Sequence, residues 1–309
     1  MRILVMGAGG VGGYFGAQLA RAGHDVAFVA RGAHLAALRE RGLVVESEIA
    51  PLHLATVAAD SDPANLGPAD VVMFCTKLWD VEDAAHRIAP ALAPDGLVIP
   101  FQNGVESHLM LRGVLGNDRV AGGVAQISAN IKAPGVIEQL GPFARLRVGP
   151  FTAGQESRLR AFAAAGKRAH IDIEVVADVE RALWEKFVFL VAMSGLTSLA
   201  RQPVGVVRTD PELRATLVAA IEEAVAVARA RRVALDAEVV ATTVKLVDSL
   251  PPGMRASMLN DLTRGNRLEA PWLAGAVVRM ARAAGVAAPV NTTIYAAMKP
   301  YVDGAAKTA

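Results

Sequence analysis

Six residues near the start of the chain, Gly7-Ala8-Gly9-Gly10-Val11-Gly12, have the G-x-G-x-x-G spacing of a turn that can hold a pyrophosphate. Spacing alone is a weak signal. It gains force here because Ile3-Leu4-Val5-Met6, a strand-like run, leads directly into the turn, and the amphipathic stretch Val11 to Arg21 leads out of it. In that setting Gly7 permits the tight turn, Gly9 lets the backbone approach the phosphates, and Gly12 lets helix and strand pack closely. The N–H groups at the helix start then face the anion, with the positive end of the helix dipole behind them.

The second strand ends at Val29-Ala30, where an NAD-binding chain usually offers Asp or Glu to the ribose hydroxyls. This chain offers Arg31, and Asp25 lies at the opposite end of the strand. A carboxylate would repel a 2′-phosphate, whereas a guanidinium takes one through forked, charge-assisted hydrogen bonds. The residues therefore favour NADP (NADPH) over NAD, the competing reading being that Arg31 is an ordinary surface charge. Lys77 and Asn103 stand just past two further strand ends, where open α/β sheets bind ligands, although either could be a solvated loop residue. Lys186 is different in kind. It precedes the apolar run Phe187 to Met193, so it borders a helix that must be buried on most faces. Burial disfavours an ammonium and moves a lysine toward the range useful for acid catalysis; the alternative is a lysine that snorkels to water.

Composition limits what else the chain can be. Its 309 residues exceed a typical single domain, and 53% hydrophobic against 20% charged residues is the balance of a compact protein. The net charge of +2 comes from interspersed signs, with no basic stripe for a phosphate backbone, so nucleic acid is not an expected partner. A single cysteine, Cys75, excludes an internal disulfide, and the six histidines show no metal-ligand spacing. The expectation is a cytoplasmic protein without a metal site, without a secretory signal, and without a membrane span, since Phe187 to Met193 falls short of the roughly 20 residues a span needs.

The elements that must position these residues follow from periodicity. Short β-branched runs at Ile3 to Met6, Asp25 to Val29, Val71 to Cys75, Leu97 to Phe101 and Val120 to Ile127 alternate with helical stretches at Val11 to Arg21 and Val81 to Ile88, the pattern of a parallel sheet with crossover helices. Shorter strands are expected at Val136 to Leu140, Arg145 to Val148 and Ile171 to Val176, with a helix at Gln155 to Ala165. Beyond Asp178 the expected elements are helices: Val179 to Ala200, Pro211 to Ala230, Ala237 to Ser249 and Trp272 to Ala284, with Asp210-Pro211 as a cap and first-turn proline. The expected fold is α/β, an N-terminal Rossmann-type doubly wound sheet over residues 1–177 followed by an all-α C-terminal domain over residues 178–309.

With these residues in hand the chain resembles the ketopantoate reductase (2-dehydropantoate 2-reductase) family over almost its whole length. The resemblance rests on the glycine turn, Thr76-Lys77, Gln102-Asn103-Gly104, Trp184-Glu185-Lys186, Ser257-Met258 with Asp261, and Arg267-Leu268-Glu269, in that order. It implies NADPH-dependent reduction of the 2-oxo group of 2-dehydropantoate to (R)-pantoate, the pantothenate-forming reaction, with Lys186 protonating the nascent alkoxide. It further implies Glu269 near substrate and cofactor, Ser257, Asn103 and Ser194 as substrate contacts, and a possible homodimer. Glu269 could equally favour a helix dipole, and Ser257 could cap the helix starting at Met258. Where the family pattern has asparagines, this chain has Leu190, Ser194, Val204 and Met254. Their loss weakens the case for a hydroxylated substrate and opens a second expectation, a more apolar 2-oxo acid or ketone. Arg201 and Arg255 are further candidates for a substrate carboxylate, with placement at the surface the favoured alternative for each. A non-catalytic NADP sensor is disfavoured by the presence of both Lys186 and Glu269.

Overall fold

The computed structural model describes residues 1–305, and the chain divides into two compact units: Met1–Gln102 with Glu106–Ala182, and Asn103–Val105 with the chain from Leu183 onward. The first unit runs β1 (Arg2–Met6), α1 (Gly10–Arg21), β2 (Asp25–Val29), α2 (Gly32–Arg41), β3 (Leu43–Glu46), β4 (Leu52–Leu54), β5 (Ala58–Asp60) and β6 (Ala69–Phe74). It continues through α3 (Val81–Ile88), β7 (Leu92–Pro100), α4 (Ser107–Leu115), β8 (Gly122–Ala133), β9 (Val136–Gly149), α5 (Glu156–Arg168) and β10 (Asp172–Val175).

Five strands form a parallel sheet in the order β5-β2-β1-β6-β7, the arrangement of a Rossmann-type fold. β1, β2 and β6 are near-continuous apolar runs buried along most of their length, and Ile3, Val5, Phe28, Met73 and Ile99 are buried in the core of the sheet. The strand expected at Val120 to Ile127 does not extend this sheet. Apart from one bridge between Val120 and Val98, it becomes β8 and pairs antiparallel with β9. The two pieces expected at Val136 to Leu140 and Arg145 to Val148 are one continuous strand, β9, which carries β3 beside its start and β10 beside its end. The fifth place in the parallel sheet goes instead to the three residues of β5, in register with the end of β2.

α6 (Val179–Ala200) leaves the first unit and enters the second, where it is followed by α7 (Val204–Thr209), α8 (Pro211–Ala230), α9 (Val239–Ser249), α10 (Ser257–Thr263), α11 (Ala274–Ala284) and α12 (Pro289–Met298). Among the described residues this unit contains helices and no strands. The cap expected at Asp210-Pro211 forms: the Asp210 carboxylate accepts from the Leu213 N–H at 2.9 Å, with Pro211 in the first turn. The helix expected from Trp272 is broken at Leu273, so Ala270–Trp272 makes a 3-10 turn before α11. α10 begins at Ser257 itself, so this serine does not cap a helix starting at Met258. α6 is long and apolar enough to cross a membrane by length and composition, but 72% of that stretch is buried inside the protein, as in a core helix.

Candidate functional site

In the first unit the glycine turn is built from backbone geometry. Gly7 has φ +103°, a conformation that glycine tolerates and other residues resist, and the N–H groups of Gly7 and Ala8 donate to the Val29 carbonyl at 3.2 and 3.0 Å. α1 starts at Gly10 and its first ladder bond runs from the Gly13 N–H to the Gly9 carbonyl, so the N–H groups of Gly10, Val11 and Gly12 precede the ladder. The glycines divide by cause. A Cβ on Gly12 would stand 2.3 Å from the Gly7 carbonyl oxygen, and one on Gly10 would stand 2.2 Å from the Ala129 carbonyl oxygen, so packing within the protein demands both. Gly9 has an ordinary φ of −78° and nothing within 4 Å of its would-be Cβ. Protein packing therefore leaves Gly9 unexplained, whereas a dinucleotide lying against the turn would need that space. The residues fit such a group.

His34, which the sequence reading did not single out, holds the turn from behind. Its Nδ1 accepts from the Gly135 N–H at 3.0 Å, which puts the ring proton on Nε2, donating to the Ala8 carbonyl at 2.8 Å. Burial lowers its pKa, partly offset by the bond to Ala8, so the neutral ring is favoured. No local spacing marks His34, since its partners lie 26 and 101 residues away.

Arg31 precedes α2 in extended backbone and its side chain is 65% exposed. Its guanidinium donates to Asp80 at 2.8 Å, a partner the sequence did not suggest. Lys77 is exposed on the same loop as Asp80, with its Nζ 5.5 Å from the Trp79 ring centroid. Asp25 is exposed at the far end of β2 and pairs with Arg2. One acidic residue does stand beside the end of β2, from the neighbouring strand: Asp60 is in register with Val29. Its oxygens already accept from the Asp62 N–H, Asn65 and Arg39, and these contacts, the Asp62 N–H foremost, hold its carboxyl below the usual range. Burial pushes the Cys75 thiol up, away from reactivity.

In the second unit three side chains converge. The Lys186 ammonium, in α6, donates to Asn103 Oδ1 at 3.0 Å, and the Asn103 amide donates through Nδ2 to Glu269 Oε2 at 3.2 Å. The asparagine thus presents its acceptor to the cation and its donor to the anion. Burial pulls the lysine down to about 8, with the Glu269 carboxylate opposing part of that shift. Glu269 is 9% exposed and precedes the 3-10 turn, but its side chain makes no capping bond there. Leu190 lies one turn beyond Lys186 on α6 and is half-buried, as is Met254. Val204 is fully buried with its N–H on the Met254 carbonyl at 2.9 Å, and Ser194 is enclosed at 1% exposure with its hydroxyl unpartnered. Ser257 is exposed at the start of α10. Neither serine joins the Lys186–Asn103–Glu269 chain of hydrogen bonds. Arg201 stacks on Tyr301, and Arg255 donates to Thr263, both at the surface. No group of three or more His, Cys, Asp or Glu among the described residues is placed to hold a metal ion.

Residues 3–153 match the family model described as ketopantoate reductase PanE/ApbA, and residues 178–302 match that of its C-terminal region. The chain belongs to the ketopantoate reductase family. A crystal structure of a PanE/ApbA family ketopantoate reductase from Ralstonia eutropha superposes with a TM-score of 0.89 at 33% identity, covering 98% of both chains. A 2-dehydropantoate 2-reductase of Archaeoglobus fulgidus is 31% identical over 95% of each chain. An uncharacterized oxidoreductase of Bacillus subtilis, YkpB, is 28% identical over 97% of this chain and 99% of its own length. As a ketopantoate reductase family member the chain is an oxidoreductase of the CH–OH/C=O group, nicotinamide-dependent, with a small keto acid as its substrate class.

Proposed function

We propose that this chain reduces 2-dehydropantoate to (R)-pantoate with NADPH, using Lys186 as the general acid. The observation that carries the reading is the Lys186–Asn103–Glu269 arrangement, with the lysine lowered to about 8. NADPH, when bound, supplies the hydride that reduces the ketone carbon; the glycine turn would hold its pyrophosphate and Arg31, with Lys77, its 2′-phosphate. The chain's own residues supply the proton. Asn103 Oδ1 occupies one N–H of the ammonium and fixes its direction, which leaves the other two for the ketone oxygen. As the carbonyl becomes an alkoxide, Lys186 gives up one proton and becomes a neutral amine, to be recharged from solvent. A pKa of about 8 keeps most of the lysine protonated at neutral pH while making it a better acid than an exposed lysine. Glu269 offsets the cost of burying that charge, since burial alone would lower the pKa further.

A second reading keeps this chemistry and changes the substrate. Half-buried Leu190, one turn from Lys186, and half-buried Met254 offer apolar surface and no hydrogen bonds to a substrate hydroxyl, which favours a more apolar 2-oxo acid. NADPH oxidation by the purified protein on 2-dehydropantoate beside a panel of aliphatic and aromatic 2-oxo acids tests both. The primary reading expects 2-dehydropantoate to have the highest kcat/KM. A negligible rate with it beside a fast one on an apolar acid overturns that reading and supports the second, and no turnover of any 2-oxo acid overturns both.

A further inference from the structure

Asp80 stands at the start of α3, where a carboxylate ordinarily caps the open N–H groups of a helix, yet its side chain makes no such bond. It reaches instead across 49 residues of sequence to the Arg31 guanidinium. The contact uses one nitrogen and one oxygen, NH2 to Oδ2, so it is not the forked pairing that would occupy a whole guanidinium edge. Arg31 therefore keeps donors for a second anion, with the Asp80 carboxylate already beside them. Asp60, the other acid near the end of β2, cannot play this part because Arg39, Asn65 and the Asp62 N–H engage its oxygens.

We propose that Asp80 is a specificity-determining residue that narrows the discrimination between NADPH and NADH, because its carboxylate must share the Arg31 cation with an incoming 2′-phosphate. This rests on the reading of Arg31 as the 2′-phosphate site. With NADPH bound, two anions flank one cation and repel each other. With NADH the 2′-position is a neutral hydroxyl, which suffers no such repulsion and can donate a hydrogen bond to the carboxylate. The same residue thus penalises one dinucleotide and accommodates the other.

Replacing Asp80 with Asn preserves size and the oxygen that accepts from Arg31 while removing the charge. Calorimetric binding of NADPH and of NADH to wild type, Asp80→Asn, Arg31→Ala and the double variant tests the proposal without reference to turnover. In Asp80→Asn the preference for NADPH is expected to widen by about three- to tenfold, the scale of one partly solvated charge contact, chiefly through tighter NADPH binding. In the Arg31→Ala background, where the carboxylate and the 2′-phosphate face each other without the intervening cation, Asp80→Asn is expected to widen that preference at least as much as it does in wild type. An unchanged or narrower preference in Asp80→Asn overturns the proposal and makes Asp80 at most a residue that orients Arg31. Equal losses of NADPH and NADH in Arg31→Ala overturn the 2′-phosphate reading itself, a result separable from the first.

Discussion

The glycine turn of the first unit and the Lys186–Asn103–Glu269 group of the second are built in opposite ways. The turn is contiguous and made of backbone: its shape comes from Gly7 at positive φ, from Gly10 and Gly12 packed too tightly for a Cβ, and from His34 bracing the Ala8 carbonyl. The second group is made of side chains whose hydrogen bonds span 83 and 166 residues of sequence. Geometry dominates in the first, so changes there act on nucleotide affinity or on folding. Electrostatics dominates in the second, where a buried cation is tuned by one carboxylate through one amide, so changes there act on rate.

That contrast can be broken most sharply at Lys186. Replacing it with Ala should cut kcat by about 10²- to 10⁴-fold, the span of a lost general acid, while calorimetric NADPH affinity stays within about twofold. Comparable losses in both would merge the two sites and refute the division. Next in size, Arg31→Ala should weaken NADPH by about ten- to a hundredfold, as expected for a charge-assisted contact to phosphate, and NADH far less.

A smaller effect separates the glycines from one another. Gly9→Ala should leave the melting temperature near wild type and weaken NADPH by about tenfold, because the added methyl meets nothing in the protein and fills space meant for the nucleotide. Gly10→Ala should instead cost about 1–3 kcal/mol of stability, because its methyl collides with the Ala129 carbonyl. Equal destabilisation by both would remove the argument that Gly9 is kept for a ligand. The smallest expected effect is at His34. Burial holds its folded-state pKa below the ordinary histidine value, so its contribution to stability is present above about pH 6.5 and is lost as pH falls below that value, when the unfolded chain takes up the proton more readily. Chemical denaturation from pH 5 to 8 should show that slope, and His34→Ala should flatten it.

How much was legible follows the same contrast. β1, the glycine turn and α1 could be read because the signal is consecutive residues, and the Asp210-Pro211 cap because its chemistry is local. β5, made of Ala58, Ala59 and Asp60, has no strand propensity and exists because the edge of β2 pairs with it. β8 was legible as a strand, but its antiparallel pairing with β9 is a property of the partner. Asp80 was hidden in Asp80-Val81-Glu82-Asp83, which reads as an ordinary helix start, and only the fold turns it toward Arg31. Asn103, Lys186 and Glu269 could each be nominated from the sequence; that one amide bridges the other two could not.

Lys186 as a proton donor with its pKa lowered to about 8 is the assignment on which the mechanism rests, and the pH dependence of kcat/KM for 2-oxo acid reduction by NADPH addresses it directly. Only the ammonium can protonate the alkoxide, so kcat/KM should be level on the acid side and fall through about pH 8, approaching tenfold per pH unit above it. The residual activity of Lys186→Ala should lack that descent. A wild-type profile that stays level or rises through pH 8, or a descent that survives in Lys186→Ala, would contradict the assignment of Lys186 as the acid.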